Sequence, residues 1–187
     1  MNFYEQENNK TVLKTREIIR ELPEFCNEFF LDLNQNTLPK TRMGYAYDLR
    51  VFFNFLVTEN KEFLGRDIKS LTLDDLQKIK VVDINQFMDY LAYYVSDEDS
   101  QLYSNGENGK ARKLAAVRKL FKYFYRTEKI SSNPAELTIT PKRHEKEIVR
   151  LEPNEVAEML DVIENGSKMT SKQKEYYEKT KTRDLAI

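Results

Sequence analysis

The sequence has no tryptophan, one cysteine and one histidine among its 187 residues. With Cys26 as the only cysteine, an internal disulfide is excluded, and a reducing compartment is favoured. We interpret Cys26, which lies between Phe25 and Phe29, as a small buried hydrophobe rather than a nucleophile. His144 alone cannot build a cluster of His and Cys ligands, so we expect no metal site and no cofactor.

Glycine and proline are also scarce, with five of each. Because these residues interrupt helices and most of the others form them readily, an α-rich protein is predicted. No stretch approaches the roughly 18–20 apolar residues that a membrane span requires. The first residues, MNFYEQENNK, lack the apolar core of a signal peptide. We therefore expect a cytoplasmic chain that does not enter a membrane.

Motifs that carry catalysis are missing as well. There is no glycine-rich phosphate loop and no serine flanked by glycines in the pattern of a nucleophile elbow. Adjacent carboxylates such as Asp74 and Asp75 are typical of the first turn of a helix. The sequence predicts no catalytic residue within 1–187.

Charge, by contrast, is present and strongly segregated. The whole chain is nearly neutral, with 30 basic and 31 acidic side chains. Residues 59–100 carry ten acidic and five basic side chains, whereas Lys110 to Arg126 (KARKLAAVRKLFKYFYR) carries seven basic and none acidic. Like charges on one helix repel one another, so this concentration indicates a negatively charged partner. The simpler interpretation is a solvated helix face.

The basic segment has a regular helical pattern of about 100° per residue. Its apolar side chains form one face, which we predict to be buried: Leu114, Val117, Leu120, Phe121, Phe124 and Tyr125. Arg112, Lys119, Lys122 and Arg126 lie on the opposite side around Ala115. Long cations around a small residue can approach a negative surface closely. Nucleic acid is the commonest such surface, and an acidic protein surface is the alternative.

A second helix repeats this arrangement in weaker form. Thr41 is a suitable N-cap, and the apolar residues that follow it have helical spacing: Tyr45, Leu49, Phe52, Phe53 and Leu56. Arg42, Ala46 and Arg50 share another face, again with cations beside a small residue.

The remaining elements are also predicted to be helical, and no strand is expected. Residues 1–10 are predicted to be frayed, residues 34–37 and 96–109 to be loops, and Leu137 to Arg150 to be an extended linker. The predicted helices lie at 11–22, 24–33, 41 onwards, 72–79, 83–95, 110–127 and Pro153 to Asn165.

Four motifs in order resemble the tyrosine recombinases, the phage-integrase family. The first helix of their core-binding domain is matched by Thr41, Tyr45, Asp48, Leu49, Phe52, Phe55 and Leu56. The segment Lys110 to Arg126, with Ile130, Asn133 to Ala135 and Pro141-Lys142, is similar to that domain's last helix and exit. Leu151 to Leu160 resembles the opening of the catalytic domain, and Arg183 to Ile187 the start of its first catalytic helix.

The resemblance implies an all-α fold, an orthogonal bundle of four to five helices of the SAM-like core-binding type. It divides the chain into an N-terminal helical extension (1–36), a DNA-binding domain (37–135), a linker (136–150) and the truncated start of a catalytic domain (151–187). The family cleaves DNA with a tyrosine nucleophile assisted by arginines, a lysine and His or Trp. None of these can be placed here, because Tyr176 and Tyr177 precede the first arginine position.

The resemblance also implies that two helices meet double-stranded DNA in the major groove. Thr41, with the free N–H groups of its helix, suits a phosphate, and Arg42 or Arg112 suits guanine. For Tyr45, contact with DNA and a place in the core stay equally open. The implied DNA-binding residues are Thr41, Arg42, Tyr45, Lys110, Arg112, Ala115, Lys119, Lys122, Arg126 and Lys142.

We therefore predict site-specific DNA binding by the N-terminal half of a recombinase, without strand transfer by these residues. We expect a tetramer on DNA for the whole enzyme and a monomer for this fragment. The alternative is a helical protein-interaction module, or a truncated regulator, whose basic face meets an acidic partner.

Overall fold

The computed structural model describes residues 3–95, 101–142, 150–167 and 169–184. The chain forms two compact units, residues 1–143 and residues 144–187. The four-part division expected from the sequence stays a prediction, whereas the all-α fold is confirmed.

The first unit is a helical bundle in which α3 and α6 are the longest helices. Its helices are α1 (Phe3–Ile19), α2 (Cys26–Asn36), α3 (Pro39–Thr58), α4 (Leu73–Lys78), α5 (Val81–Tyr90), α6 (Glu107–Arg126) and α7 (Pro134–Leu137). A single 3-10 turn, Ile68–Ser70, precedes α4.

Phenylalanine side chains fill the centre of this bundle. Phe52 on α3 lies 5.1 Å from Phe87 on α5 and 6.5 Å from Phe121 on α6, measured between ring centroids. Both contacts are edge-to-face, an arrangement that aromatic rings prefer to a flat sandwich. The predicted core residues Leu49, Phe52, Phe53 and Leu56 are all buried, which confirms the apolar face of α3.

The first two helices belong to the same core. Ile18 on α1 and Phe29 and Leu33 on α2 are almost fully buried. The prediction that residues 1–10 are frayed was wrong, because α1 begins at Phe3. The predicted loop at 34–37 was also wrong in part, since α2 continues to Asn36. Cys26 is buried as predicted.

Helix starts differ from the predicted caps at two places. Pro39 occupies the first turn of α3 and Leu38 the cap position, so Thr41 is not an N-cap. Proline suits this place because its missing N–H has no partner in the first turn anyway. In α5, Asp83 lies three residues inside the helix, where its Oδ2 accepts a hydrogen bond from the Lys80 N–H at 2.7 Å.

The predicted absence of strands was wrong. Tyr94–Val95 (β1) pairs antiparallel with Leu102–Tyr103 (β2), with Tyr94 opposite Tyr103. The helix predicted to reach Val95 therefore ends at Tyr90. The rings of Tyr90, Tyr94 and Tyr103 stack in succession at 5.0 and 5.7 Å, which fixes the ribbon on the end of α5.

The second unit contains α8 (Pro153–Asn165) and α9 (Ser171–Asp184). The start and end predicted for α8 are confirmed. Gly166 adopts a left-handed φ of 65° after the helix, and its N–H bonds the Val162 carbonyl. The Tyr177 hydroxyl donates to the Glu164 carbonyl, which joins the two helices. Within the described part of the chain, no helix combines the length and apolarity needed to cross a bilayer.

Candidate nucleic-acid interface

Helix α6 buries one face and exposes the opposite one, as its sequence pattern predicts. Leu114, Val117, Leu120, Phe121 and Phe124 are each fully buried. Tyr125 was wrongly assigned to this face, since 51% of it is exposed. The exposed face consists of Arg112, Ala115, Lys119, Lys122 and Arg126, which we call the cationic stripe.

Lys119 and Lys122 form the middle of the cationic stripe. Among the described residues, no carboxylate lies within ion-pair distance of Lys119 or Lys122. Arg126, at one end, has its Nη2 3.4 Å from Oδ1 of Asp32. Two exposed lysines that have no carboxylate partner among the described residues are available to a phosphate backbone.

At the other end of the stripe, Arg112 is held by a buried carboxylate. Its Nη2 lies 2.9 Å from Oδ1 of Asp48 on α3, while 65% of the Arg112 side chain stays exposed. The remaining guanidinium donors of Arg112 therefore face solvent, and its position relative to α3 is fixed.

Asp48 also meets a second cation, Lys113. Its Oδ1 lies 3.8 Å from Lys113 Nζ, and only 2% of Asp48 and 7% of Lys113 is exposed. Burial raises the pKa of Asp48 and lowers the pKa of Lys113, because both lose hydration. Lys113 Nζ donates to Oδ1 of Asn105 at 3.0 Å, which ties the start of α6 to the loop after the ribbon.

Sequence reasoning assigned no role to Asp48 or Lys113. The pattern that reveals Asp48 is its place on the apolar face of α3, about one turn after Tyr45 and about one turn before Phe52. A carboxylate there must be paired when buried. Lys113 is one of the seven basic residues of the segment, and the structure shows that it is buried.

The middle of α3 contacts α6 at two places, where Asp48 meets Arg112 near the start of α6 and Phe52 meets Phe121 further along it. Thr41 is exposed in the first turn of α3. Tyr45 is half-buried and packs against the core.

The sequence suggested that Arg42, Ala46 and Arg50 form an exposed basic face of α3. In the structure this face is covered. Ala46 is fully buried, and α1 packs along this helix. Arg50 Nη1 donates to Glu21 Oε2 at 2.9 Å, and the Arg42 guanidinium donates to the Thr37 carbonyl. The helix that covers this face, α1, was not expected to pack there because its own sequence is mostly polar.

Of the other predicted DNA-binding residues, Lys110 is half-buried in the first turn of α6, and Lys142 is exposed. Lys142 follows a segment that is anchored to the bundle rather than extended and free. Arg118 Nε donates to the Ala135 carbonyl at 3.0 Å, its Nη1 to Thr140 Oγ1 at 2.6 Å, and its Nη2 to the Thr138 carbonyl. Residues 138 and 140 of the predicted linker are thus tied to α6 by side-chain hydrogen bonds.

The described residues form neither a metal site nor a reactive thiol. No three His, Cys, Asp or Glu side chains lie close enough there to hold a metal ion. Burial raises the pKa of the Cys26 thiol, which keeps it protonated and unreactive. His144, Arg143 and the terminal Leu185 to Ile187 lie outside the described residues, as do residues 96–100 of the acidic loop.

Comparison with known proteins identified curated relatives of one kind. The chain is 32% identical over 154 residues to Tyrosine recombinase XerC of Caldanaerobacter subterraneus subsp. tengcongensis, covering 79% of this chain and 41% of that protein. It is 34% identical over 130 residues to Tyrosine recombinase XerC of Chlorobaculum parvum, covering 70% and 34%. With Tyrosine recombinase XerC of Leptospira interrogans it shares 27% identity over 161 residues, covering 80% and 45%.

The chain thus spans less than half the length of these relatives. No family model matches it. No solved structure matches it either.

Proposed function

The chain belongs to the tyrosine recombinase family, and from this we propose that residues 1–143 bind double-stranded DNA at the site of a recombination reaction. The cationic stripe of α6 faces the DNA, and Asp48 in the middle of α3 holds the Arg112 end of it. Cleavage and strand exchange are left to parts of a whole recombinase that these 187 residues do not supply. We also propose that the protein acts on DNA in the cytoplasm.

The observation that carries this proposal is the pair of uncompensated lysines at the centre of the stripe. Lys119 and Lys122 follow an exposed small side chain, Ala115, that lets the helix approach a groove closely. Lysines of this kind hold phosphates and set register, whereas bidentate donors read bases. Arg112, oriented by Asp48, is the base-reading candidate.

Assembly follows from the same proposal. Since the relatives are more than twice as long as the region matched, we infer that contacts outside these residues build a tetramer on DNA. The 187-residue chain alone is then monomeric. Mass photometry with and without duplex distinguishes the two states.

Charge reversal at the centre of the stripe tests the proposal. The double variant Lys119→Glu/Lys122→Glu is compared with Lys61→Glu/Lys69→Glu, which reverses two exposed lysines outside α6. We expect the stripe variant to weaken retention of a labelled duplex by about a hundredfold and the control by less than about threefold. Equal effects of the two variants would contradict the proposal. Loss of a protein complex with unchanged DNA retention would instead favour an acidic protein partner for the stripe.

A further inference from the structure

A groove of about 400 Å³ lies between α1, α2 and the first turn of α3, away from the stripe on α6. Three arginines from two helices line it, namely Arg16, Arg20 and Arg42. Arg16 and Arg20 are one turn apart near the end of α1, so their side chains lie on the same face.

These guanidinium groups have no carboxylate partner within the part of the chain that the structure describes. The acidic residues near them are already paired elsewhere: Glu17 with Lys14 at 3.6 Å, and Glu21 with Arg50 at 2.9 Å. No Asp or Glu is among the described residues that line the groove. The groove is therefore a positively charged depression without internal neutralisation.

Apolar side chains form the rest of the groove. Phe30 is buried, Ile19 is half-buried, and 67% of Leu31 on α2 is exposed. A large exposed leucine beside a half-buried isoleucine offers apolar area that a phosphate backbone cannot use. A peptide that carries carboxylates next to apolar side chains can contact both the arginines and the apolar area of the groove, since arginine binds carboxylates bidentately.

We propose that this groove binds an acidic peptide segment of a partner protein, with one apolar side chain of the peptide against Ile19, Phe30 and Leu31 and its carboxylates on Arg16 and Arg20. The proposed peptide contacts, Arg16, Arg20 and Leu31, are not among the DNA-binding residues named above, whereas Arg42 at the edge of the groove is. It gives the first unit a second partner, which docks on the N-terminal helix α1.

Two libraries of labelled peptides test this proposal with the whole 187-residue chain. In one library Asp or Glu alternates with Leu or Phe, and in the other Asn or Gln replaces the acids. The variant Arg16→Gln/Arg20→Gln is compared with Lys61→Gln/Lys69→Gln, which removes two exposed charges outside the groove. Glutamine is chosen because it keeps helix propensity, and circular dichroism checks the fold.

We expect the acidic library to bind in preference to the amide library. The arginine variant then weakens that binding by about tenfold or more, and the lysine control by less than about twofold. Leu31→Ser, which removes the exposed apolar contact, weakens it as well. Binding of duplex DNA is unchanged in all of these variants, which separates this site from the cationic stripe.

Four results would overturn the proposal. The acidic peptides bind no better than the amide peptides, or the arginine and lysine variants bind them equally. Loss of DNA retention without loss of peptide binding in Arg16→Gln/Arg20→Gln assigns the groove to DNA. A change in the oligomeric state of that variant assigns it to a second copy of the chain.

Discussion

The carboxylate of Asp48 on α3 holds the guanidinium of Arg112 on α6 at 2.9 Å, although these residues are 64 positions apart. Because Asp48 is buried and Arg112 is largely exposed, the pair connects the core to the cationic stripe. The same carboxylate faces the buried Lys113. Placement of the stripe therefore depends on a charge inside the bundle.

Asp48→Ala leaves Lys113 buried without its counter-ion, so we expect the free energy of unfolding to fall by about 3 kcal/mol. Urea denaturation measures this loss. Asp89→Ala, on an exposed position of α5, is the matched control and changes stability by less than about 0.5 kcal/mol. Equal stability of the two variants would show that Asp48 is not needed to balance Lys113.

Stability in acid depends on Asp75 at the start of α4. A hydrogen bond from Arg66 at 2.9 Å, together with bonds from Thr72 and Lys78, holds the pKa of Asp75 well below its usual range. The carboxylate therefore stabilises the fold above its unfolded pKa of about 3.9, and this contribution is lost as pH falls through the lower folded value.

We therefore expect Asp75→Asn to lower the free energy of unfolding most near neutral pH, by about 2 kcal/mol, and by less at pH values below about 3. Urea denaturation of the variant and the native chain across this range measures the difference. Asp74→Asn, at the exposed neighbouring position, provides the control and shows little pH dependence. A cost at Asp75 that stays constant with pH would contradict the assignment.

Ala115, the small residue of the cationic stripe, allows opposite changes at one exposed position. Ala115→Lys adds a phosphate contact and makes the slope of log K against log salt steeper by about 0.9, whereas Ala115→Glu repels the backbone. Fluorescence anisotropy with a labelled duplex measures both. Neither variant changes the melting temperature by more than about 2 °C, because no buried contact is altered. Indistinguishable DNA affinities would place the interface elsewhere.

Arg118 holds the segment that leaves the bundle after α7. We expect Arg118→Ala to accelerate amide hydrogen exchange in residues 135–140, because the carbonyls of Ala135 and Thr138 lose their donor. Arg118→Lys keeps the charge and restores only part of the protection, since one ammonium cannot form all three bonds. Unchanged exchange in Arg118→Ala would mean that α7 alone anchors the segment.

Helix α6 shows how far the sequence could predict this molecule. Its apolar period and its one-signed charge are local properties, so its buried face and its exposed cations were predictable from residues 110–126, whereas its start at Glu107 lies inside the loop predicted at 96–109. Tyr125 was misassigned because it lies at the edge of the apolar face, where neighbouring elements decide burial. The burial of Lys113 against Asp48 depends on a contact with another helix, which the periodicity of α6 does not contain.

Contacts between distant parts of the chain explain the remaining differences. α1 is mostly polar and was predicted to begin later, yet Ile18 and its neighbours bury one edge of it against α3. Pairing of β1 with β2 needs only two residues on each side, which is too short for an alternating pattern. The position of Thr41 depended on the exact start of α3, which Pro39 moved two residues earlier.

The most direct test of the DNA-binding account is the salt dependence of duplex binding by the 187-residue chain. Three to five phosphate contacts by the stripe and its neighbours predict a slope of log K against log salt of about −3 to −4.5. Lys119→Ala/Lys122→Ala makes the slope shallower by about 1.8, from about 0.9 per lost contact. A slope near zero, or the same slope in this variant and in the native chain, would contradict the account.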